Sequence, residues 1–243
     1  MRFVLAILVF LISASMGQAA CRQTNYNGND YTICAFDTRK DKIALFNLDA
    51  GGQPFGGFSN LQQTQAAQGQ QLSFAMNAGM FGTDLKPIGL YVENGKILHR
   101  LNRRTGSGNF HLKPNGVFYI AGGKAGVMDT DAYAKSGIKP DLATQSGPML
   151  VVNGAIHPKL SPNGTSAKIR NGVGVVDDHT VVFAISDGFV TFYDFASLFL
   201  EQLNCKNALF LDGSVSSLYA PDVGRSDFLA RLGPMLGVTT PAK

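Results

Sequence analysis

Short apolar runs, separated by brief turns built on glycine or asparagine, recur along this chain and constrain its fold more than any other feature. Ile88–Val92 and Lys96–Leu101 flank Glu93-Asn94-Gly95, and Val117–Ile120 and Ala125–Met128 flank Gly122-Gly123. Met149–Val152 meets Ala155–His157 across Asn153-Gly154, and Val173–Val176 meets Val181–Ile185 across Asp177-Asp178-His179. Asn and Gly accept the positive φ of tight primed turns, so each pair of runs predicts an antiparallel hairpin. Glycine supplies 28 of the 243 residues, and this excess over the usual ~7% suits turns and close backbone approaches rather than a helical bundle. A charged fraction of 16% beside 45% hydrophobic residues excludes intrinsic disorder.

Helical patterning is confined to two segments. Gln62–Gln71, glutamine-rich with alanines between and with Ser59 or Asn60 as its cap, predicts a surface helix ending at Gly69. The spacing of Phe192, Phe195, Ala196, Phe199, Leu200 and Leu203 predicts a helix over about 192–204 with one buried face. Ala208–Leu211 then reads as a short buried strand that runs into Asp212-Gly213-Ser214. The reading is a single-domain α+β fold over residues 20–243, with mixed, largely antiparallel β-sheets flanked by a few helices.

Residues 1–19 read as a secretory signal peptide, with Arg2 as the positive start, an apolar run from Phe3 to Ser15, and Gly17 and Ala19 before the cut. The alternatives are a lipid anchor at Cys21, which Gln18 disfavours, and a retained membrane anchor. No later stretch is apolar for long enough to span a bilayer. A periplasmic or secreted protein meets oxidising conditions, so cysteines are read first as disulfide partners. Cys21 and Cys34 bracket the turn-rich Tyr26–Asp30 and can face each other across a hairpin, leaving Cys205 as a buried thiol on the last helix. The formal charge of +4, one unit of which leaves with Arg2, is too small and too scattered to imply nucleic acid.

Several familiar sites are absent: there is no phosphate-binding P-loop, dinucleotide fingerprint, nucleophile elbow or H-E-x-x-H. His99, His111, His157 and His179 stand alone, without a second ligand at metal spacing. His111 is the exception of interest, because it closes the glycine-rich polar loop Gly106–His111. Other polar clusters lie where strands end beside glycine: Asn77–Phe81, Thr144–Pro148, Lys168–Gly172, Ser186-Asp187-Gly188 and Asp212–Ser217. A missing Cβ lets a ligand approach the backbone, and Asn, Gln, Asp and Ser offer the hydrogen bonds a sugar needs.

At these residues the chain resembles a known family. Asn77-Ala78-Gly79-Met80-Phe81 is similar to N-x-G-F-F, Arg170–Gly174 to R-T-A-x-G, and Leu211–Ser217 to the D-G-G-G-S-S region of phosphodiester glycosidases, over about residues 31–221. Two departures stand out: Ser214-Val215 replace glycines, with bulk at Val215 that could narrow the site, and Asn171 follows the arginine where threonine is frequent. The resemblance implies hydrolysis of the glycosidic bond of a sugar-1-phosphodiester in envelope or extracellular glycans. Such chemistry needs carboxyl groups and a cation near the phosphate: Asp212 and Asp187, each ending a buried strand before Gly, are the candidate catalytic carboxyl pair, and the planar fork of Arg170 suits the phosphate. Asn77, Gly79, Phe81, His111, Gln145, Gly147, Gly213, Ser216 and Ser217 would bind substrate or line the pocket. No cofactor is expected; a divalent ion bridging the carboxylates lacks supporting ligand spacing. Two rival readings are a non-catalytic glycan-binding module, favoured by the Val215 departure, and metal-assisted hydrolysis using Asp187, Asp212 and a histidine.

Overall fold

A computed structural model describes residues 20–242; the signal-peptide reading of residues 1–19 therefore lies outside the described residues. Three antiparallel sheets make up the fold. A seven-stranded sheet runs in spatial order Cys21–Tyr26, Asn29–Asp37, Thr180–Ser186, Asn171–Val175, Asn207–Asp212, Met149–Val152 and Ala155–Ile156. One five-stranded sheet is ordered Arg225–Ser226, Leu218–Ala220, Gln70–Asn77, Met235–Pro241 and Ile43–Phe46. The other is ordered Lys96–His99, Tyr91–Glu93, Leu142–Ser146, Gly116–Ala121 and Lys124–Asp129. The α+β expectation holds, and every strand pairing among the described residues is antiparallel.

The expected hairpins form where the turn chemistry places them. Asn94 and Gly95 (φ 51° and 75°) and Asn153 and Gly154 (φ 49° and 80°) occupy the left-handed region that primed turns require. A further hairpin turns at Asn27-Gly28 and sets Cys21 opposite Cys34, where the two are joined by a disulfide.

Alternation along the central strands divides the molecule into two apolar layers. Val181, Phe183, Ile185, Leu209 and Leu211 face the other sheets, where Phe74 meets Phe36 at 4.9 Å and Phe183 at 5.0 Å. Val182, Ala184, Ala208 and Phe210 face the opposite way, onto a helical cover. That cover is Phe192–Ser197, here α3, begun by a Thr191/Asp194 capping box. The single helix expected over 192–204 instead changes at Leu198–Gln202 into a π-helical turn, in which the Leu203 amide reaches back to the Leu198 carbonyl. Cys205 is a buried free thiol as expected, but it lies just beyond this turn rather than on the helix. The glutamine-rich helix spans Phe58–Ala67 and buries Phe58, Leu61 and Gln65, with Gly57 at its start in place of Ser59 or Asn60. No helix among the described residues is long and apolar enough to cross a membrane.

Candidate active site

Arg170 is only 1% exposed, and its surroundings are unusual for a buried cation. Its Nε donates to the Val190 carbonyl at 2.9 Å and its Nη2 to the Ser166 carbonyl at 2.7 Å. The guanidinium lies 3.5 Å above the centre of the Phe192 ring and 5.4 Å from that of Phe210. Among the described residues no carboxylate pairs with it. Burial lowers its pKa to about 10, so at neutral pH it remains a charged group with uncompensated desolvation. Its remaining nitrogen, Nη1, points toward Gly213: a Cβ placed there would stand 3.6 Å away. Two carbonyls and two aromatic rings thus surround the guanidinium.

Asp212 ends the Asn207–Asp212 strand, one residue before Gly213. A register shift between Phe210 and Asp212 breaks the alternation there and sets Asp212 opposite Asn171, which in turn pairs with Ile185. Its carboxylate accepts from the Ser214 amide at 2.7 Å, and the Gly213 and Val215 amides also favour its charged form. Desolvation outweighs them and raises its pKa above the ordinary carboxylate value. A cleft of about 340 Å³ is lined by two of the Arg170 partners, Phe192 and Ser166, together with Asn109, Lys159 and Thr165 among others.

Behind Asp212 lies a buried amide network. Asn171 Nδ2 donates to Asn77 Oδ1 and to the Asn77 carbonyl, both at 3.0 Å, while the Asp212 amide donates to Asn171 Oδ1 at 3.0 Å. The Ser217 amide donates to Asn77 Oδ1 at 2.9 Å, and the Ser216 hydroxyl donates to the Asp212 carbonyl at 2.8 Å. Asn77, Ser216 and Ser217 thus hold the 212–217 turn in place. Asn171, noted in the sequence only as a departure, is the centre of this support.

Other residues expected at the pocket are placed elsewhere. Asp187 follows the Thr180–Ser186 strand and pairs with Arg225 and the Thr32 hydroxyl. Among the described residues no group of three His, Cys, Asp or Glu converges as metal ligands would. Gln145 is 1% exposed and spends its whole amide internally: Oε1 accepts from the Leu90 and Asn102 amides, and Nε2 donates to the Asn102 carbonyl and Thr130 Oγ1. Gly79 lets the chain pass against the Gln145 carbonyl, and Gly147 does so against the Phe110 carbonyl. Phe81 packs over Gly233. His111 sits between Asn109 and Leu112 of the cleft wall, its Nδ1 3.0 Å from the Arg104 carbonyl. Val215, expected to crowd the site, leans instead onto the Phe55–Phe58–Leu61 cluster. The sequence left Phe192 as helix core; the capping box at Thr191 was the available signal that this ring stands at a helix mouth.

A family model described as phosphodiester glycosidase matches residues 70–238. The uncharacterized protein YigE of Escherichia coli (strain K12) is 36% identical over 217 residues, covering 89% of this chain and 84% of its own. Among solved structures, the fold matches the catalytic domain of zebrafish N-acetylglucosamine-1-phosphodiester alpha-N-acetylglucosaminidase, auto-inhibited by its pro-peptide. That match has a TM-score of 0.60 at 16% identity, over 90% of this chain and 81% of that one. An exported-protein candidate of Burkholderia pseudomallei K96243 matches with a TM-score of 0.58 at 11% identity, over 86% of this chain and 74% of that one.

Proposed function

Because the chain belongs to the phosphodiester glycosidase family, we propose that it hydrolyses the glycosidic bond of a sugar-1-phosphodiester in envelope or extracellular glycans. The observation that carries this reading is the buried guanidinium of Arg170, without a carboxylate partner among the described residues, with Nη1 toward Gly213 at the turn that follows Asp212. Arg170 binds the phosphate and stabilises the negative charge that grows on it as the sugar–oxygen bond breaks. A phosphate monoester departs as an anion, so this leaving group needs a cation more than a proton. One carboxylate is then sufficient. Asp212, with its raised pKa, takes a proton from the water that attacks the anomeric carbon. Phe192 holds the guanidinium flat and offers its ring edge to the cleft.

The Cys21–Cys34 bond supports an oxidising compartment. It also uses the Cys21 sulfur, on which a lipid thioether would have to form, and so favours soluble export over a lipoprotein. The binding-module alternative loses its main support once Val215 is seen to pack away from Arg170.

The reading is tested with a chromogenic sugar-1-phosphodiester. Asp212→Asn should reduce kcat/KM by roughly 10²–10⁴-fold, and Arg170→Ala by roughly 10²–10³-fold. The wild-type rate should rise with pH through an apparent pKa above the usual aspartate value. Unchanged hydrolysis in both variants would remove the proposal.

A further inference from the structure

A second cleft, of about 530 Å³, lies between the 84–88 and 99–104 segments. Lys86, Arg100, Arg103 and Arg104 line it against a single carboxylate, Asp84. All four cations are exposed. Only Arg103 has an ion-pair partner among the described residues, Asp131 at 2.9 Å. The whole chain carries a formal excess of +4, so four cations facing one acid gather on one strip a charge that looks scattered along the sequence. Unpaired like charges in a concave surface repel one another and focus a positive potential into the cleft.

The walls are held by buried hydrogen bonds rather than by charge pairing. Gln145 Oε1 accepts from the Leu90 and Asn102 amides, both at 2.9 Å, and so ties one wall to the other. Asn102 Nδ2 donates to the Ile88 carbonyl at 2.9 Å, and its Oδ1 accepts from the Arg104 amide at 3.1 Å. The cations are thereby kept together against their repulsion. One wall of the cleft also touches the loop that carries His111. The Arg104 carbonyl lies 3.0 Å from the His111 ring, and Asn109 and Leu112 on either side of His111 line the cleft beside Phe192.

We propose that this basic cleft holds further phosphates of a linear substrate, a polymer of sugar phosphodiesters that runs from Lys86, Arg100 and Arg104 over the 104–112 loop to Arg170. The nature of the polymer rests on the phosphodiester-hydrolase reading above; the polyanion site rests on the cleft alone. Each exposed cation contributes modestly, so loss of three should weaken polymer binding by about tenfold or more.

The test is a triple variant, Lys86→Ser, Arg100→Ser and Arg104→Ser, titrated with a fluorescent linear hexosyl-phosphate polymer at low and high salt. Asp212→Asn is added to both proteins in this arm so that the polymer survives. The parent should bind the polymer and lose affinity steeply with salt, while the triple variant binds at least about tenfold more weakly with a shallower salt dependence. In the Asp212 background, kcat/KM toward a small sugar-1-phosphodiester should be unchanged by the three substitutions. Equal polymer affinity in parent and triple variant overturns the proposal, as does parent binding of neutral dextran as tight as that of the polymer. Tighter binding of single-stranded DNA of matched charge overturns it in favour of a nucleic-acid surface. Charge-dependent polymer binding with no hydrolysis of any sugar phosphodiester keeps the cleft and removes the hydrolase reading; hydrolysis with cleft-independent binding does the reverse.

Discussion

Asp212 and Arg170 are each costly to the fold, and the costs have opposite signs of charge. Burial raises the Asp212 pKa. A group with a folded-state pKa above its unfolded value contributes stability at low pH and loses it as pH rises through the folded pKa. Asp212→Asn keeps an oxygen to accept from the Ser214 amide and removes the charge. It should therefore melt higher than wild type at pH 7, with the two curves converging in acid, even as activity falls. Arg170→Lys tests the cation: an ammonium cannot serve the Val190 and Ser166 carbonyls and stack on Phe192 while presenting a third nitrogen toward Gly213. The lysine variant should lose roughly 10²-fold or more in kcat/KM. At this scale the sequence marks which residues are special but not what each is for. An asparagine or glutamine beside glycine is equally fit to bind a sugar or to brace a loop, and only the partners of Asn77 and Gln145 distinguish the two.

Among elements, the hairpins were legible because Asn-Gly and Gly-Gly turns are local chemistry. The same is true of the Cys21–Cys34 staple, whose cysteines lie in register at the start and middle of one hairpin. It closes a loop with a sequence separation of 13 on an edge strand. Replacing both cysteines by serine should cost about 3 kcal/mol in denaturant unfolding. The π-helical turn was not legible, since the apolar spacing over 192–204 continues through it. Its packing reason lies across the layer: Gly174 faces Cys205 Sγ and Phe199 Cδ1, which would stand 2.7 and 2.8 Å from an added Cβ. Gly174→Ala should destabilise by about 1–3 kcal/mol in the same measurement.

For the whole molecule, the class of fold follows from turn density and low charge, whereas strand order does not. Thr180–Ser186 pairs with Asn29–Asp37, and Asn207–Asp212 lies between two strands that precede it in the chain. These long-range pairings are chosen by burial on both faces, which no local window contains. They also set Asn171 between Ile185 and Asp212, at the centre of the buried amide network. If the export reading holds, the protein recovered from the periplasm or medium should begin at Ala20 by mass spectrometry and carry the disulfide; a lipidated Cys21 would contradict it. The central claim concerns which bond breaks beside Arg170. Hydrolysis of a sugar-1-phosphodiester in ¹⁸O-water tests it most directly: the account predicts the label on the anomeric hydroxyl of the released sugar, and label on the phosphate would contradict it.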